Sequence, residues 1–245
     1  CTQYAEENSS YLNAITPPIY MTSLHTFERI EDHLEYSQGG GRFIYGRVSN
    51  PTVEIVERKI AALERGASAK CFASGMGAIS SAILSAVKTG SHMICVKNVY
   101  GPTKTFIDKY LPKFGVSATY VKGTDISEFE NAIQPNTSLI YLESPSSIVM
   151  SLQDLSGVAA LAKNHGIVTA VDNTFCTPIY QKPLTMGIDM SLHTLSKYMG
   201  GHADIIGGVL VCADEERARK IASNERELLG GIIGPMEAWL VLRGL

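Results

Sequence analysis

The sequence predicts an α/β protein whose mostly parallel β-sheet is covered by helices on both faces. Short apolar runs typical of buried strands alternate with longer amphipathic stretches typical of helices along most of the chain. Strands separated by crossover helices form parallel sheets, and such sheets are covered on both faces. The 245 residues are 45% hydrophobic and 18% charged, which supplies enough apolar mass for one large core.

The first 47 residues are interpreted as an extended arm that precedes the sheet. They show little sustained periodicity, and they contain a TPP sequence at 16–18 and a GGG run at 39–41, both of which interrupt regular structure. The remaining residues, 48–245, are assigned to one large domain. The chain begins without Met and stops within a helix-like segment, which predicts an excerpt of a longer protein without its C-terminal small domain.

The elements of the large domain follow in a regular order. Asn50 and Pro51 supply an N-cap and a first residue for a helix that ends near Gly66. The strands predicted after it are AKCFA, HMICV, VSATYV, SLIYL, IVTAVD and two runs near 189–193 and 205–211. The helices predicted between the strands cover about 77–88, 103–114, 127–133 and 154–164.

Charge and cysteine content narrow the range of partners. The net charge of -3 and the pI near 6.1 give no general attraction to nucleic acid or to anionic membrane, so a small-molecule substrate is expected. No apolar window predicts a membrane span or a signal peptide. The five cysteines are an odd number, and Cys71, Cys95 and Cys212 lie in apolar, strand-like runs. A reducing, cytoplasmic location is predicted.

A turn of small residues after the first predicted strand is a candidate phosphate site. Gly75, Met76 and Gly77 follow AKCFA and lead into a helix, whose N-terminal N–H groups suit an anion. Tight helix–strand packing explains the same turn equally well. A dinucleotide fingerprint matches less well, because Ser80 occupies its third small position and no acidic residue ends HMICV.

Two charged residues follow later strands of the same predicted sheet. Asp172 follows IVTAV, where a carboxylate can bind a cation or pair with a protonated ring nitrogen, although a cap is the commoner role of such an Asp. Lys197 follows MSLH and is flanked by the hydroxyls of Thr194 and Ser196. Desolvation lowers the pKa of a lysine and makes it a nucleophile, although most lysines are solvated. Together with the small-residue turn and Tyr100, the pattern favours a cofactor site.

Several segments in a fixed order resemble one enzyme family. In chain order they are TPPIY, YGRVSNPT, FASGMGAI, VYGPT, YLESP, VDNTFCTP, SKYMGGHAD and RGL. From about Thr16 to Leu245 the chain resembles the transsulfuration, or Cys/Met-metabolism, family of pyridoxal-phosphate (PLP) enzymes. This family contains cystathionine γ-lyase, cystathionine γ-synthase, methionine γ-lyase and the O-acylhomoserine sulfhydrylases. The resemblance implies the large domain of the aminotransferase-type fold I.

The resemblance also implies a set of site residues. Lys197 would hold PLP as a Schiff base, Asp172 would pair with the pyridine nitrogen, and Tyr100 would stack on the ring. The groups implied for the phosphate are the backbone N–H groups of Gly75 and Met76, the hydroxyls of Thr194 and Ser196, and Tyr45 and Arg47 from a neighbouring subunit. A homo-oligomer follows from this shared site, with a homotetramer expected. His202 is expected to order a loop, Cys176 to be inert, and no metal is implied.

Three departures from the family pattern bear on the reaction. Ser147 stands where the family has an Asn near the cofactor, and the two hydroxyls at Thr194 and Ser196 have exchanged types. Pro102 stands where methionine γ-lyases have a Cys, which argues against that member. The resemblance therefore implies γ-elimination or γ-replacement of the cystathionine γ-lyase or γ-synthase type. The alternatives are an O-acylhomoserine sulfhydrylase, a methionine γ-lyase, or a PLP-binding regulatory protein with impaired catalysis.

Overall fold

A computed structural model describes residues 3–37 and 43–245 of the chain. The GGG run at 39–41 thus lies outside the described residues. The α-helices are α1 (Ile30–Ser37), α2 (Pro51–Glu64), α3 (Gly75–Ala86), α4 (Gly101–Thr105), α5 (Ile126–Ala132), α6 (Leu155–Asn164), α7 (Thr177–Tyr180), α8 (Glu215–Ile221) and α9 (Pro235–Gly244). The strands are β1 (Ser68–Phe72), β2 (His92–Val96), β3 (Ser117–Val121), β4 (Thr137–Glu143), β5 (Val168–Asp172), β6 (Met190–Thr194) and β7 (Gly208–Cys212).

These strands form one sheet in the order β1-β7-β6-β5-β4-β2-β3. The pairs from β3 through β6 are all parallel, whereas β7 runs antiparallel to both of its neighbours, β1 and β6. The predicted fold class is confirmed. The antiparallel β7 follows from its connection, because the chain returns directly beside β6 without a crossover helix.

Helix α2 begins where the sequence predicts. The side chain of Asn50 accepts a hydrogen bond from Thr52 N at 2.9 Å, and Pro51 occupies the first helical position. Arg65 then adopts a left-handed conformation and ends the helix. Because the apolar residues of α2 recur at helical spacing, one side of the helix is buried against the sheet.

Helices cover both faces of the sheet, as the alternation of side chains along β7 demonstrates. Leu210 and Cys212 belong to the larger apolar cluster, which on this side of β7 includes residues of α3 and α8. Val209 and Val211 belong to the smaller cluster, which includes residues of α2 and α9. Successive side chains of a strand point to opposite faces, so these two pairs of β7 side chains lie on opposite sides of the sheet, one towards α3 and α8 and the other towards α2 and α9.

The helix predicted over 103–114 is divided into three parts. The α-helix α4 ends at Thr105 and is followed by a wide π-helical turn over Phe106–Tyr110 and a tighter 3-10 turn over Leu111–Phe114. Pro112 lacks a backbone N–H and its ring clashes with the carbonyl four residues earlier, so an α-helix cannot continue through it. The apolar periodicity alone does not reveal this change.

The arm is more regular than predicted, since it contains α1 and a short 3-10 turn at Asn8–Tyr11. It is tied to the large domain at several points. Trp239 Nε1 donates to Pro17 O at 3.0 Å, and Tyr20 N donates to Thr52 Oγ1 at 3.0 Å. The assignment of 1–47 as a separate unit remains a prediction.

The cysteines of the sheet are free thiols in the interior. Cys71, Cys95 and Cys212 are buried, and burial raises the pKa of each thiol, that of Cys212 to about 12. They therefore act as small apolar packing groups. Among the described helices, not one combines the length and the apolar character that crossing a membrane requires.

Candidate active site

The candidate site lies where the carboxyl ends of neighbouring strands meet. In the parallel register Glu143 is opposite Asp172, and Asp172 is opposite Leu192. Thr194 ends β6, and Lys197 follows three residues later. Because β4, β5 and β6 are parallel, their last residues share one edge of the sheet, which is where open α/β sheets bind ligands.

The amine of Lys197 lies close to two aromatic rings. Its Nζ atom is 5.5 Å from the centre of the Tyr100 ring and 5.1 Å from the centre of the Phe175 ring. Tyr100 is 41% exposed, so its ring is available to a ligand. Sequence reasoning missed Phe175, although it lies within the quoted VDNTFCTP segment, because an aromatic residue after a strand is more often a core residue.

Asp172 is 7% exposed and is held by a residue that sequence reasoning missed. The backbone N–H of Thr174 donates to Asp172 Oδ1 at 3.0 Å, and the Thr174 hydroxyl donates to the same oxygen. Thr174 Oγ1 also accepts from Thr194 N at 2.9 Å, which ties Asp172 to the end of β6. A hydroxyl two residues after an Asp is the one sequence signal that indicates this turn.

Burial is the main influence on the ionisation of Asp172. Desolvation raises the pKa of this carboxyl, while the hydrogen bonds from Thr174 and the charges of His193 and Lys197 oppose the rise. A buried carboxylate of this kind is stabilised by a cationic partner. Asp172 is thus suited to pair with a protonated ring nitrogen.

The N-terminus of α3 and the end of β6 form a cradle of small residues and hydroxyls. Ser74 caps α3, since its hydroxyl accepts from Gly77 N at 3.0 Å. A Cβ atom on Gly75 would lie 2.3 Å from Thr194 Oγ1, so only glycine allows the helix to approach this hydroxyl. Ser196 Oγ accepts from Gly207 N at 3.3 Å and lies in the loop that carries Lys197.

This arrangement fits PLP, the group that the sequence resemblance implies. It offers an amine close to aromatic rings, a desolvated carboxylate, and a helix N-terminus beside a hydroxyl for a phosphate. Met76 is in the first turn of α3 and packs against the core through its side chain, which leaves its backbone N–H at the helix N-terminus. The cradle around Gly75 and the residues around Lys197 lie at the same edge of the sheet.

A second buried carboxyl, Glu143, was not singled out from the sequence. Glu143 is 2% exposed, and its Oε2 atom accepts from Tyr100 N at 2.7 Å. Burial and then the neighbouring charge of Asp172 raise its pKa. The YLESP segment contains this residue, but only the strand register reveals that it shares a face with Asp172.

Tyr45 and Arg47 form a separate pair. The Arg47 guanidinium carbon lies 5.1 Å from the centre of the Tyr45 ring, and Arg47 Nη1 donates to Glu227 O at 2.6 Å. Within the described part of the chain, neither residue makes a hydrogen bond, ion pair or ring contact with Lys197 or Asp172. Their contribution to a neighbouring subunit's site stays a prediction.

The surroundings of His202 and Cys176 indicate structural roles for these two residues. His202 Nδ1 contacts Gly200 O at 2.9 Å, a bond that orders the glycine-containing loop after Lys197. Burial raises the pKa of the Cys176 thiol, which disfavours the reactive thiolate. Across residues 3–37 and 43–245, three or more metal-ligating side chains do not gather at any point.

The opposite face of the sheet carries a buried polar cluster. Glu64 Oε1 accepts hydrogen bonds from Asn173 Nδ2 at 3.1 Å and from Ser191 Oγ at 2.9 Å. The same oxygen makes a short contact with His193 Nε2. Glu64 comes from the end of α2, so this cluster fastens α2 to β5 and β6. Asn173 directly follows Asp172 in the chain, and His193 directly precedes Thr194. The cluster therefore lies directly behind the candidate site, on the other face of the sheet.

Comparison with known proteins agrees with this architecture. L-methionine gamma-lyase of Fusobacterium nucleatum is 39% identical over 236 residues, which are 93% of this chain and 58% of that protein. Cystathionine gamma-lyase of Bacillus subtilis is 37% identical over 95% of this chain and 59% of its own length. The crystal structure of cystathionine gamma-lyase from Lactobacillus plantarum complexed with L-serine superposes with a TM-score of 0.89 and 38% identity, covering 96% of this chain and 59% of that one.

The match covers most of this chain but only part of each relative. It spans about three fifths of the length of these relatives. The model of one family, described as Cys/Met metabolism PLP-dependent enzymes, matches residues 2–245. The chain therefore belongs to the Cys/Met metabolism family of PLP-dependent enzymes.

Proposed function

We propose that this chain is the cofactor-binding part of an enzyme that acts on the C–S or C–O bond at the γ-carbon of an amino acid. The observation that carries the proposal is the position of Lys197. Its Nζ atom lies 5.5 Å from the centre of the Tyr100 ring, and the residue lies at the same edge of the sheet as Asp172. PLP chemistry uses a lysine amine that forms the Schiff base and a partner for the pyridine nitrogen, and this chain offers an amine and a buried carboxylate beside an aromatic ring.

Each part of the cofactor has candidate partners in this chain. Lys197 would hold it covalently, Asp172 would pair with its ring nitrogen, and Tyr100 would lie on its ring. Its phosphate would be bound by the backbone N–H groups of Gly75 and Met76, by the hydroxyls of Thr194 and Ser196, and by Tyr45 and Arg47 of a neighbouring subunit. When bound, PLP supplies an electron sink for the carbanion formed at the substrate's Cα.

The remaining chemistry belongs to Lys197 and Tyr100. Once the substrate amine has displaced Lys197, the free Nζ atom would move protons between Cα and Cβ, which prepares the γ-substituent to leave. As a phenolate, the Tyr100 side chain would accept a proton from the incoming ammonium group, and the phenol so formed would donate a proton to the departing group. The Phe175 ring centre lies 5.1 Å from the Lys197 Nζ atom, and this ring would exclude water from the amine.

Two reactions of this type differ only after the γ-substituent has left. Elimination releases a keto acid and ammonia, whereas capture by a thiol gives replacement. We favour the cystathionine γ-lyase or γ-synthase type, since Pro102 occupies the first turn of α4 where a methionine γ-lyase has a Cys. A methionine γ-lyase is the second candidate, because the F. nucleatum relative of that name is 39% identical.

We further propose a homo-oligomer, with a homotetramer expected, in the cytoplasm. Large apolar side chains of the arm are exposed in the single chain, among them Leu12, Ile15 and Met21. Burying such side chains against a second subunit is favourable by about 25 cal/mol per Å² of apolar area. The free buried thiols are compatible with a reducing compartment.

The proposal is tested on the full-length purified protein. Its visible spectrum is recorded before and after borohydride reduction, and the reduced adduct is located by peptide mapping. We expect a PLP adduct on Lys197, absent from Lys197→Ala and present in the control Lys220→Ala, whose side chain is exposed on α8. A colourless protein that takes up no PLP would contradict the proposal.

Substrate assays then separate the reactions. Cystathionine, O-acylhomoserine and methionine are each supplied with and without a thiol acceptor, and keto acid and thioether are measured. Preferred release of keto acid from cystathionine supports the lyase type, and thiol-dependent thioether formation supports the synthase type. An adduct on Lys197 with no turnover on any of the three compounds would instead support the regulatory alternative.

A further inference from the structure

Glu143 contacts the backbone at the start of α4. Tyr100 is the residue before this helix, and its own side chain makes no capping bond. Instead, Glu143 Oε2 accepts the Tyr100 backbone N–H at 2.7 Å from the end of β4. A hydrogen bond to a carboxylate is stronger than one between neutral groups, so this contact fixes where the Tyr100 backbone lies.

The other oxygen of Glu143 makes the residue costly to retain for stability alone. Glu143 Oε1 is buried and has no well-formed hydrogen bond within residues 3–37 and 43–245. The neighbouring carboxyl of Asp172 repels its charge, and the hydroxyl and backbone N–H of Ser147 counteract this effect only in part. A buried carboxyl beside a second carboxyl is costly to the fold, and such groups are commonly functional.

We propose that Glu143 is a positioning residue, which holds the Tyr100 ring at its distance from Lys197 Nζ through the Tyr100 backbone amide. The inference rests on the proposed function, since Tyr100 is there a catalytic residue. Glu143 connects the Tyr100 turn to Ser147, the position at which this chain departs from the family Asn. Its loss therefore moves the phenol and affects turnover, while substrate binding changes little.

Two conservative substitutions separate the effect of the length of the Glu143 side chain from the effect of its charge. Glu143→Gln keeps an oxygen acceptor at the same distance, whereas Glu143→Asp keeps the charge but withdraws the oxygen by one methylene. In the full-length holoenzyme, Glu143→Asp is expected to lower kcat about 10²-fold with KM changed by less than about threefold. Glu143→Gln should stay within about threefold of wild type in both constants.

Tyr100→Phe supplies the test of mechanism. If Glu143 acts through the phenol, Glu143→Asp lowers kcat by no more than about threefold in the Tyr100→Phe background, a clear departure from additivity. Glu64→Gln is the matched control, because Glu64 is equally buried but contacts the opposite face of the sheet. It should lower thermal stability without this coupling. Additive losses, or equal kcat values for the Gln and Asp variants, would overturn the proposal.

A second measurement does not depend on turnover. Hydrogen exchange of the peptide that contains the Tyr100 amide should be faster in Glu143→Asp than in wild type and unchanged in Glu143→Gln. Unchanged exchange in both variants would also overturn the inference. If the wild type lacks activity on all three substrates while the exchange rates follow this pattern, the proposed function fails and the contact between Glu143 and Tyr100 stands.

Discussion

The two faces of the sheet carry buried carboxyl groups with contrasting surroundings. On the α2 face, one oxygen of Glu64 contacts three polar side chains, from Asn173, Ser191 and His193. On the other face, Glu143 and Asp172 are neighbours of like charge, and burial raises the pKa of both. The first carboxyl connects α2 to the sheet through one oxygen, although its second oxygen has no hydrogen bond within residues 3–37 and 43–245, while the second pair retains like charges where a cationic ligand would offset them.

The largest effect is expected from removing the acceptor on the α2 face. Glu64→Leu leaves Asn173, Ser191 and His193 without it, and breaking a buried polar cluster in this way costs about 3–5 kcal/mol of unfolding free energy. Turnover per PLP-loaded molecule should remain within about tenfold of wild type. Denaturant unfolding and active-site titration measure the two quantities. A loss of turnover without a loss of unfolding free energy would contradict the structural role assigned to Glu64.

Asp172→Asn should have the opposite outcome. The amide keeps the shape of the side chain but cannot stabilise a positive charge on the cofactor ring, so kcat is expected to fall about 10²- to 10³-fold, or about 2.7–4 kcal/mol. The unfolding midpoint of the cofactor-free protein should not decrease, because a desolvated charge has been removed. Steady-state kinetics and a thermal melt, recorded on the same preparation, check both parts.

Thr174→Val sharpens the comparison at the link between Asp172 and β6. The change removes the hydroxyl that donates to Asp172 Oδ1 and accepts from Thr194 N. Each buried partner that is left unsatisfied costs about 1–3 kcal/mol. A lower unfolding free energy together with a lower kcat is expected. Thr174→Ser, which keeps the hydroxyl, should restore both values, and failure of this rescue would assign the loss to packing.

The smallest effect is a pH dependence of the cofactor-free protein. The pKa of Glu143 is raised above its ordinary value of 4.5, so the folded state retains a proton that the unfolded chain releases. Stability should therefore decrease as pH rises from about 4.5 through the folded pKa, by at most about 1.4 kcal/mol per pH unit. Urea unfolding at several pH values should show a shallower decrease for Glu143→Gln.

The sequence predicted elements well where a single local signal determined them. HMICV and SLIYL are short, mostly apolar runs of the length typical of buried strands, and Asn50-Pro51 marks a helix start by the chemistry of capping. The π-helical turn before Pro112 was missed because apolar spacing does not report on backbone hydrogen bonds. Local sequence patterns thus predict which helices and strands form. They predict less reliably where one type of helix gives way to another.

The candidate site divides along the same line. Lys197 and Asp172 could be identified from charged residues that follow apolar strands, with the family resemblance supplying their roles. Glu143 and Thr174 could not, because their importance depends on strand register and on contacts between residues 20 or more positions apart. Register is a property of the assembled sheet, and one shift by a single residue would move Glu143 to the other face.

The direct return from β6 to β7 also bears on the order of folding. These two strands pair antiparallel at five positions, and the loop between them carries Lys197. Closing this hairpin requires only contacts that are near in sequence, whereas Tyr100 and Asp172 reach the site through parallel pairings that enclose long loops. The lysine loop can therefore form early, as a template on which the more distant parts of the site assemble.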